Sequence, residues 1–244
     1  MTDFPIYLFI LLVFANRYLF GLYLSLVKGK KLDARVDGYE PTITVVVPLH
    51  NEGRSIGETI LSLVRLAYPA DKLTITVVDD CSTDDSYQWA CKAASEHPNV
   101  TVLRTPYNMG KRKAIDQAVR QTRAEIIVSV DPDLIVFPTA LRELVARFTG
   151  PEVAAVGGRV HVSNPNQNWL TRLQTIKYYV GQEHVNNLER SLRSVMRLSG
   201  RLTAYRRSVL MQLAPALEDR SPLGVSILEA GYRTTMTTDA MCFT

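Results

Sequence analysis

The 244-residue chain is 46% hydrophobic and has a formal net charge of +4. That is enough apolar content for one large domain or two small ones. The weak positive charge, without a basic stripe interleaved with aromatics, excludes a dedicated nucleic-acid binder. The 3 cysteines, Cys81, Cys91 and Cys242, are odd in number and lack Cys-x-x-Cys spacing, which argues for a reduced, cytosolic setting over a disulfide scaffold.

Residues 1–27 read as a transmembrane helix, because Phe4 to Val27 is nearly all apolar and a span needs ~20 such residues. Lys28, Lys30 and Lys31 come immediately after it, so the positive-inside rule places the C-terminal side of the span in the cytosol, at the plasma or inner membrane. Asn16-Arg17 interrupts the run; an arginine there costs roughly 2.5–3.5 kcal/mol on insertion scales. An in-plane amphipathic helix is the alternative. A signal peptide does not fit, since its positive charge would come first. Residues 28–41 are polar and read as a linker, leaving 42–244 as the main folded domain.

Strands and helices then alternate. ITVVV (43–47) predicts a strand; Ser55 with Glu58 reads as a capping box ahead of a helix carrying Ile56, Ile60, Leu63 and Val64. LTITVV (73–78) predicts a second strand, 83–96 a helix, VTVL (100–103) a third strand, and 110–123 a helix. The fourth strand is expected at 125–130, a helix at 138–148 and a fifth strand at 153–162. This is the pattern of right-handed βαβ units around a mostly parallel sheet. Residues 166–193 read as a long amphipathic helix, either packed on the core or lying at a membrane surface.

Ligands of such sheets bind beyond the C-terminal strand ends. Those ends carry Pro48-Leu49-His50-Asn51-Glu52, then Asp79-Asp80-Cys81-Ser82, then Asn108 to Lys113, then Asp131-Pro132-Asp133. One such group is ordinary turn chemistry; four converging groups point to a ligand. Lys111, Arg112 and Lys113 fall in the first turn of a helix, the positive end of its dipole, where a bound anion such as phosphate would favour them. Asp131 and Asp133 offer hard oxygen ligands suited to Mg2+ or Mn2+. Pro132 biases Asp131 toward an extended backbone, consistent with both carboxylates facing one cleft. No Gly-x-Gly-x-x-Gly follows the first strand and no P-loop is present, so a metal with a nucleoside diphosphate points to sugar transfer. The four histidines show no metal spacing, and Arg206-Arg207 reads as a surface pair facing anionic lipid.

The motifs VVVPLHNE, VVDDCSTD, NMGKRKA, VDPD and SGRLTAYRRS resemble the family 2 glycosyltransferases of the GT-A fold, and among them the membrane-bound processive hyaluronan, chitin and chito-oligosaccharide synthases. The resemblance covers roughly residues 40–244. It implies that Asp79 and Asp80 contact the uridine of a UDP-sugar, helped by Pro48, Asn51 and Glu52. It implies that Lys111 and Arg112 meet the diphosphate, that Asp131 lies against the nucleotide, and that Asp133 ligates the metal. Ser199, Gly200 and Arg201 would line the acceptor end. Pro132 replaces the small residue usual between the two aspartates.

Such enzymes invert at the anomeric carbon by one displacement, with a carboxylate taking the acceptor proton. The nearest match to the family's base motif is Glu218-Asp219, with Asp219 as the base. Pro222 and Gly224 come next and break helices, so a helix is expected to resume only at Ser226, as if a segment were absent near 224–227. Family members continue into a Gln-x-x-Arg-Trp motif and further membrane helices that these residues do not contain, so polymer translocation is not expected of the chain as it stands. The implied partners are a UDP-sugar, a polysaccharide acceptor and the lipid bilayer. A polyprenyl-phosphate glycosyltransferase and a non-catalytic nucleotide-sugar-binding scaffold are the rival readings.

Overall fold

The computed structural model describes residues 35–161, 198, 200–213 and 223–244, together with Tyr7, Leu8, Leu12, Ala15 and Leu19. The expected span at 4–27 (those five residues apart), the amphipathic helix at 166–193, Ser199, Glu218 and Asp219 lie outside the described residues. Among the described residues, no helix is long and apolar enough to cross a membrane.

The first half is built as the alternation predicts. Strand β1 (Ile43–Leu49) is buried at every position, as befits a strand covered on both faces. Helix α1 (Ser55–Val64), β2 (Leu73–Asp79), α2 (Ser86–Ser95), β3 (Val100–Arg104), α3 (Lys111–Gln121) and β4 (Ile126–Val130) come after it in order. β1 pairs in parallel with β2 on one side and with β4 on the other, and β2 pairs in parallel with β3.

The second half departs from a simple continuation. β5 (Ile135–Val136) and α4 (Ala140–Val145) lead to β6 (Val153–His161). Then come β7 (Leu202–Arg206), α5 (Arg207–Gln212), α6 (Leu223–Glu229) and β8 (Arg233–Phe243). The sheet order is β3-β2-β1-β4-β7-β6-β8-β5. β6 therefore does not lie beside β4: β7 sits between them, antiparallel to both. The alternation could not reveal this, because β7 reaches its place by a long connection.

Alternate residues of one strand feed two cores. Val45, Val47 and Leu49 of β1 pack with Ile56, Ile60 and Leu63 of α1 and Leu141 and Leu144 of α4. Val46 faces the other way, joining Ala114, Ala118 and Val119 of α3, Tyr205 of β7 and Ile227 of α6. Small residues on α3 let it lie close to the strands, which brings its N-terminus to the sheet rim. Gly157-Gly158 has a packing role: a Cβ on Gly158 would fall 2.6 Å from Leu202 Cδ2 and 2.9 Å from the Ala240 carbonyl oxygen.

Three local expectations are corrected. Ser55 is the first residue of α1 and not its cap. Arg54 holds the cap position, with no side-chain bond closing the box, and Ser55 Oγ instead donates to the Glu52 carbonyl at 2.7 Å. α6 spans Leu223–Glu229 with Gly224 buried within it, so Gly224 does not break the helix and it does not wait for Ser226. Arg206 and Arg207, expected as a plain surface pair, are only partly exposed and each bonds backbone carbonyls. Arg206 donates to the carbonyls of Val153 and Gly150, both at 2.9 Å, and Arg207 to that of Val119 at 3.1 Å.

Candidate active site

The C-terminal ends of β1, β2 and β4 open onto one rim, and hydrogen bonds between their loops fix its shape. After β1, whose penultimate residue is Pro48, Asn51 takes a left-handed φ of 54°. Its amide donates to Ser82 Oγ at 3.1 Å, and its side-chain oxygen accepts from the Thr83 amide at 2.9 Å. The amides of Glu52 and Gly53 both donate to buried Ser86 Oγ at 2.8 Å. Only a protonated Nδ1 can bond the Asp80 carbonyl 2.9 Å from it, so His50 presents Nε2 as acceptor to Asn108 Nδ2 at 3.2 Å.

Asp79 and Asp80, expected to touch a nucleoside directly, are both buried in this structure. Asp79 is fully buried, ion-paired with Arg104 Nε at 3.1 Å, while Arg104 also donates to the Ser82 carbonyl at 2.9 Å and lies over the Tyr87 ring. Asp80, 3% exposed, accepts from Thr105 Oγ1 at 3.0 Å, the Met109 amide at 2.8 Å and the Gly110 amide at 2.7 Å. Buried carboxylates need such partners. These two hold the Ser82 turn and the Asn108–Gly110 loop, and through that loop the start of α3. Gly110, with φ 84°, supplies the left-handed turn into that helix.

Between Asp80 and Ser82 stands Cys81 at φ 59°. A side chain there costs roughly 1–2 kcal/mol, and glycine returns part of that gain through its unfolded-state freedom. Cys81→Gly is expected to stabilise the chain by about 0.5–1 kcal/mol, read as a rise of about 2 °C in Tm.

Lys111 sits at the dipole's positive end, and the anion that compensates it is Asp131, which it meets together with the Gly200 carbonyl at 3.1 Å. Arg112, one residue on, is half-buried and its charge acts on Tyr205, whose phenol burial pushes up to about 12. Arg201, expected at the acceptor end, lies on the aspartate pair. Nε is 3.3 Å from Asp131 Oδ2 and Nη2 is 2.6 Å from Asp133 Oδ2. Thr244 Oγ1 lies 3.2 Å from both Asp133 Oδ2 and Arg201 Nη2.

Exposed Glu52 completes the corner. Its carboxyl is raised above its ordinary value, first by desolvation and then by the charges of Asp133, Asp131 and Asp84. A raised carboxyl favours the fold when protonated, and that contribution is lost as pH rises through its folded value. Glu52→Gln is therefore expected to raise Tm modestly at pH 7. The advantage should fade as pH falls through the raised Glu52 value, which paired melts across the acid range will read.

Among the described residues, no three His, Cys, Asp or Glu side chains form an all-protein metal cage. The donor set nevertheless suits Mg2+ or Mn2+, which bind through one or two carboxylates and take their other ligands from phosphates and water. Asp133 and Asp131 face one corner, and their negative charges reach Glu52. Sequence reasoning missed Arg104 and Thr105. Both obey the rule it used, since they sit at the C-terminal end of β3.

Comparison with known proteins bears on this arrangement. Residues 44–214 match the family model described as glycosyl transferase family 2. An N-acetylglucosaminyltransferase of Rhizobium leguminosarum bv. viciae is 32% identical over 220 residues, covering 84% of this chain and 51% of that protein. A hyaluronan synthase of Streptococcus pyogenes serotype M6 is 28% identical over 246 residues, covering 91% of this chain and 58% of that protein. The chain thus spans about half the length of the curated relatives it matches. A mannosyltransferase from Pyrobaculum calidifontis, solved in complex with GDP-Man and Mn2+, superposes with a TM-score of 0.79 at 26% identity, over 95% of this chain and 65% of that one. The architecture is accordingly GT-A-like.

Proposed function

The chain belongs to glycosyl transferase family 2, and from that membership and the rim's geometry we propose that it transfers a sugar, with inversion, from a UDP-sugar to a growing β-linked polysaccharide. One observation carries the reading: Asp131 and Asp133 meet Lys111 and Arg201 at the C-terminal edge of the sheet. Carboxylates and cations interleaved there suit a site that shares a divalent ion with a diphosphate. The relatives' names favour an N-acetylglucosaminyl donor and a polysaccharide product.

In this reading the loops tied by Asp79 and Asp80 hold the nucleoside, with Pro48, Asn51 and Glu52 forming its other wall. Lys111 and Arg112 bind the diphosphate at the start of α3, where the dipole adds to their charge. Asp133, with Asp131 beside it, holds Mg2+ or Mn2+. When bound, the ion supplies Lewis-acid neutralisation of the leaving diphosphate. Ser199 and Gly200 border the acceptor, and Asp219, with Glu218 beside it, takes the proton from its hydroxyl. Residues 1–27 anchor the chain in the cell membrane through the 28–41 linker, with 42–244 in the cytosol.

The test is to incubate membranes bearing the protein with labelled UDP-sugars and size the product. A labelled polymer or oligosaccharide is expected. Label confined to a polyprenyl phosphate, or no donor turnover, would sink the polysaccharide reading. A reporter fused at residue 35 should lie in the cytosol; an external reporter overturns the orientation.

A further inference from the structure

We propose that His50 is a positioning residue that works only while neutral: its imidazole clasps the two walls of the nucleoside site together, and a second proton on the ring opens the clasp. The inference rests on the glycosyltransfer reading and adds control by protons to its donor site.

The ring joins three segments. Nδ1 donates to the Asp80 carbonyl beyond β2 at 2.9 Å. Nε2 accepts from Asn108 Nδ2, on the loop that starts α3, at 3.2 Å, and from Asn51 Nδ2, on its own loop, at 3.4 Å. An imidazole that donates from one nitrogen accepts at the other only while it is neutral.

Neither asparagine is free to turn its oxygen toward the ring. Asn51 Oδ1 already accepts from the Thr83 amide at 2.9 Å and from Thr83 Oγ1 at 3.3 Å. Asn108 Oδ1 accepts from the Gly110 amide at 3.2 Å. Reversing either amide would set its NH2 group against those donors. A protonated Nε2 therefore meets two NH2 groups donor to donor, and the Asn108 contact opens. The Asn108–Gly110 loop keeps its anchor on Asp80, so the fold survives while the tie between the walls is lost.

The charges on the surrounding elements are mostly engaged. Beyond β2, Asp79 pairs with Arg104 of β3, and Asp84 accepts from Ser86 and from the Gly53 amide. At the start of α3, Lys111 meets Asp131. Glu52, on the same loop as the ring, is coupled to it: a positive charge on His50 lowers the Glu52 carboxyl. A pH effect must accordingly be separated from Glu52.

The sign follows from the clasp. The neutral, clasped form binds the donor, so affinity is full at mildly alkaline pH and is lost as pH falls through the range in which histidines charge. By linkage, donor binding at acid pH expels a proton.

Calorimetric titration of the 244-residue chain in Mn2+ with UDP-N-acetylglucosamine, whose diphosphate diester takes up no proton in this range, tests this at about pH 8 and about pH 5.5. Wild-type affinity should fall about fivefold, the worth of about one hydrogen bond. His50→Asn keeps a donor for the Asp80 carbonyl but is too short to reach Asn108. It should bind at the higher pH about as weakly as the wild type binds at the lower, without a further fivefold fall. His50→Gln offers Asn108 an acceptor that does not titrate, and should bind more tightly than His50→Asn with no such fall. Ring-nitrogen NMR of the ligand-free chain should show one histidine, missing from His50→Asn, with its proton on Nδ1 at the higher pH. The same fall in His50→Gln as in the wild type, or a His50 proton on Nε2, overturns this inference alone. Loss of the wild-type fall in Glu52→Gln would assign it to Glu52 and overturn it too. A wild-type chain that binds no donor at either pH sinks the glycosyltransfer reading as well.

Discussion

Asp133→Ala is expected to lower the affinity for UDP in Mn2+ by about a hundredfold, close to 2.7 kcal/mol, to the level measured in EDTA. Asp133 is the more exposed of the paired aspartates, with 40% of its side chain accessible against 18% for Asp131. It lies beyond β4, in no core cluster, so its loss should leave folding intact. The substitution removes an anionic oxygen ligand and, with it, one negative charge at the rim, which favours the diphosphate. Binding without metal should therefore hold or improve slightly while the Mn2+-dependent part disappears. Calorimetric titration of UDP in both conditions separates the two. Unchanged binding in Mn2+ would remove Asp133 from the metal site.

The second large effect is on Asp80, by a different route. Asp80→Ala leaves three donors at the base of the rim without their acceptor: Thr105 Oγ1 and the amides of Met109 and Gly110. Unsatisfied buried donors cost roughly 1–3 kcal/mol each, though Thr105 Oγ1 also donates to the Tyr107 carbonyl at 2.8 Å. A net loss of about 3 kcal/mol is expected, or about 10 °C in Tm for a chain of this size. Asp80→Asn should recover part of it, because its amide oxygen still accepts from Thr105 Oγ1 and the Met109 amide while its NH2 group meets the Gly110 amide donor to donor. UDP binding should weaken in both variants, since the loop that starts α3 loses its anchor. A normal melting temperature for Asp80→Ala would mean that the Asn108–Gly110 loop is held by something else.

The first half of the fold and the location of the rim were legible in the sequence because they rest on local signals. β-rich apolar runs bounded by turn residues gave β1 to β4, and the strand-end rule put Asp79, Asp80, Lys111, Asp131 and Asp133 on one edge. The insertion of β7 between β4 and β6 was not legible, because register between distant strands is decided by packing, here by Gly158 against Leu202 and Ala240. Roles within the rim were less readable than membership of it. Arg201 comes after a glycine with φ 66°, and that turn, not the spacing of the motif, sends its side chain to the aspartates. Arg104 belongs to no motif, and only its ion pair with Asp79 in the folded chain shows its part in the rim.

Titration of UDP into the wild-type chain, in Mn2+ and then in EDTA, asks whether the rim carboxylates and a diphosphate share a divalent ion. Saturable binding of one UDP per chain in Mn2+ is expected, weakened about a hundredfold, or 2.7 kcal/mol, by chelation. Absence of UDP binding in Mn2+, or binding of equal strength in EDTA, would contradict a shared ion.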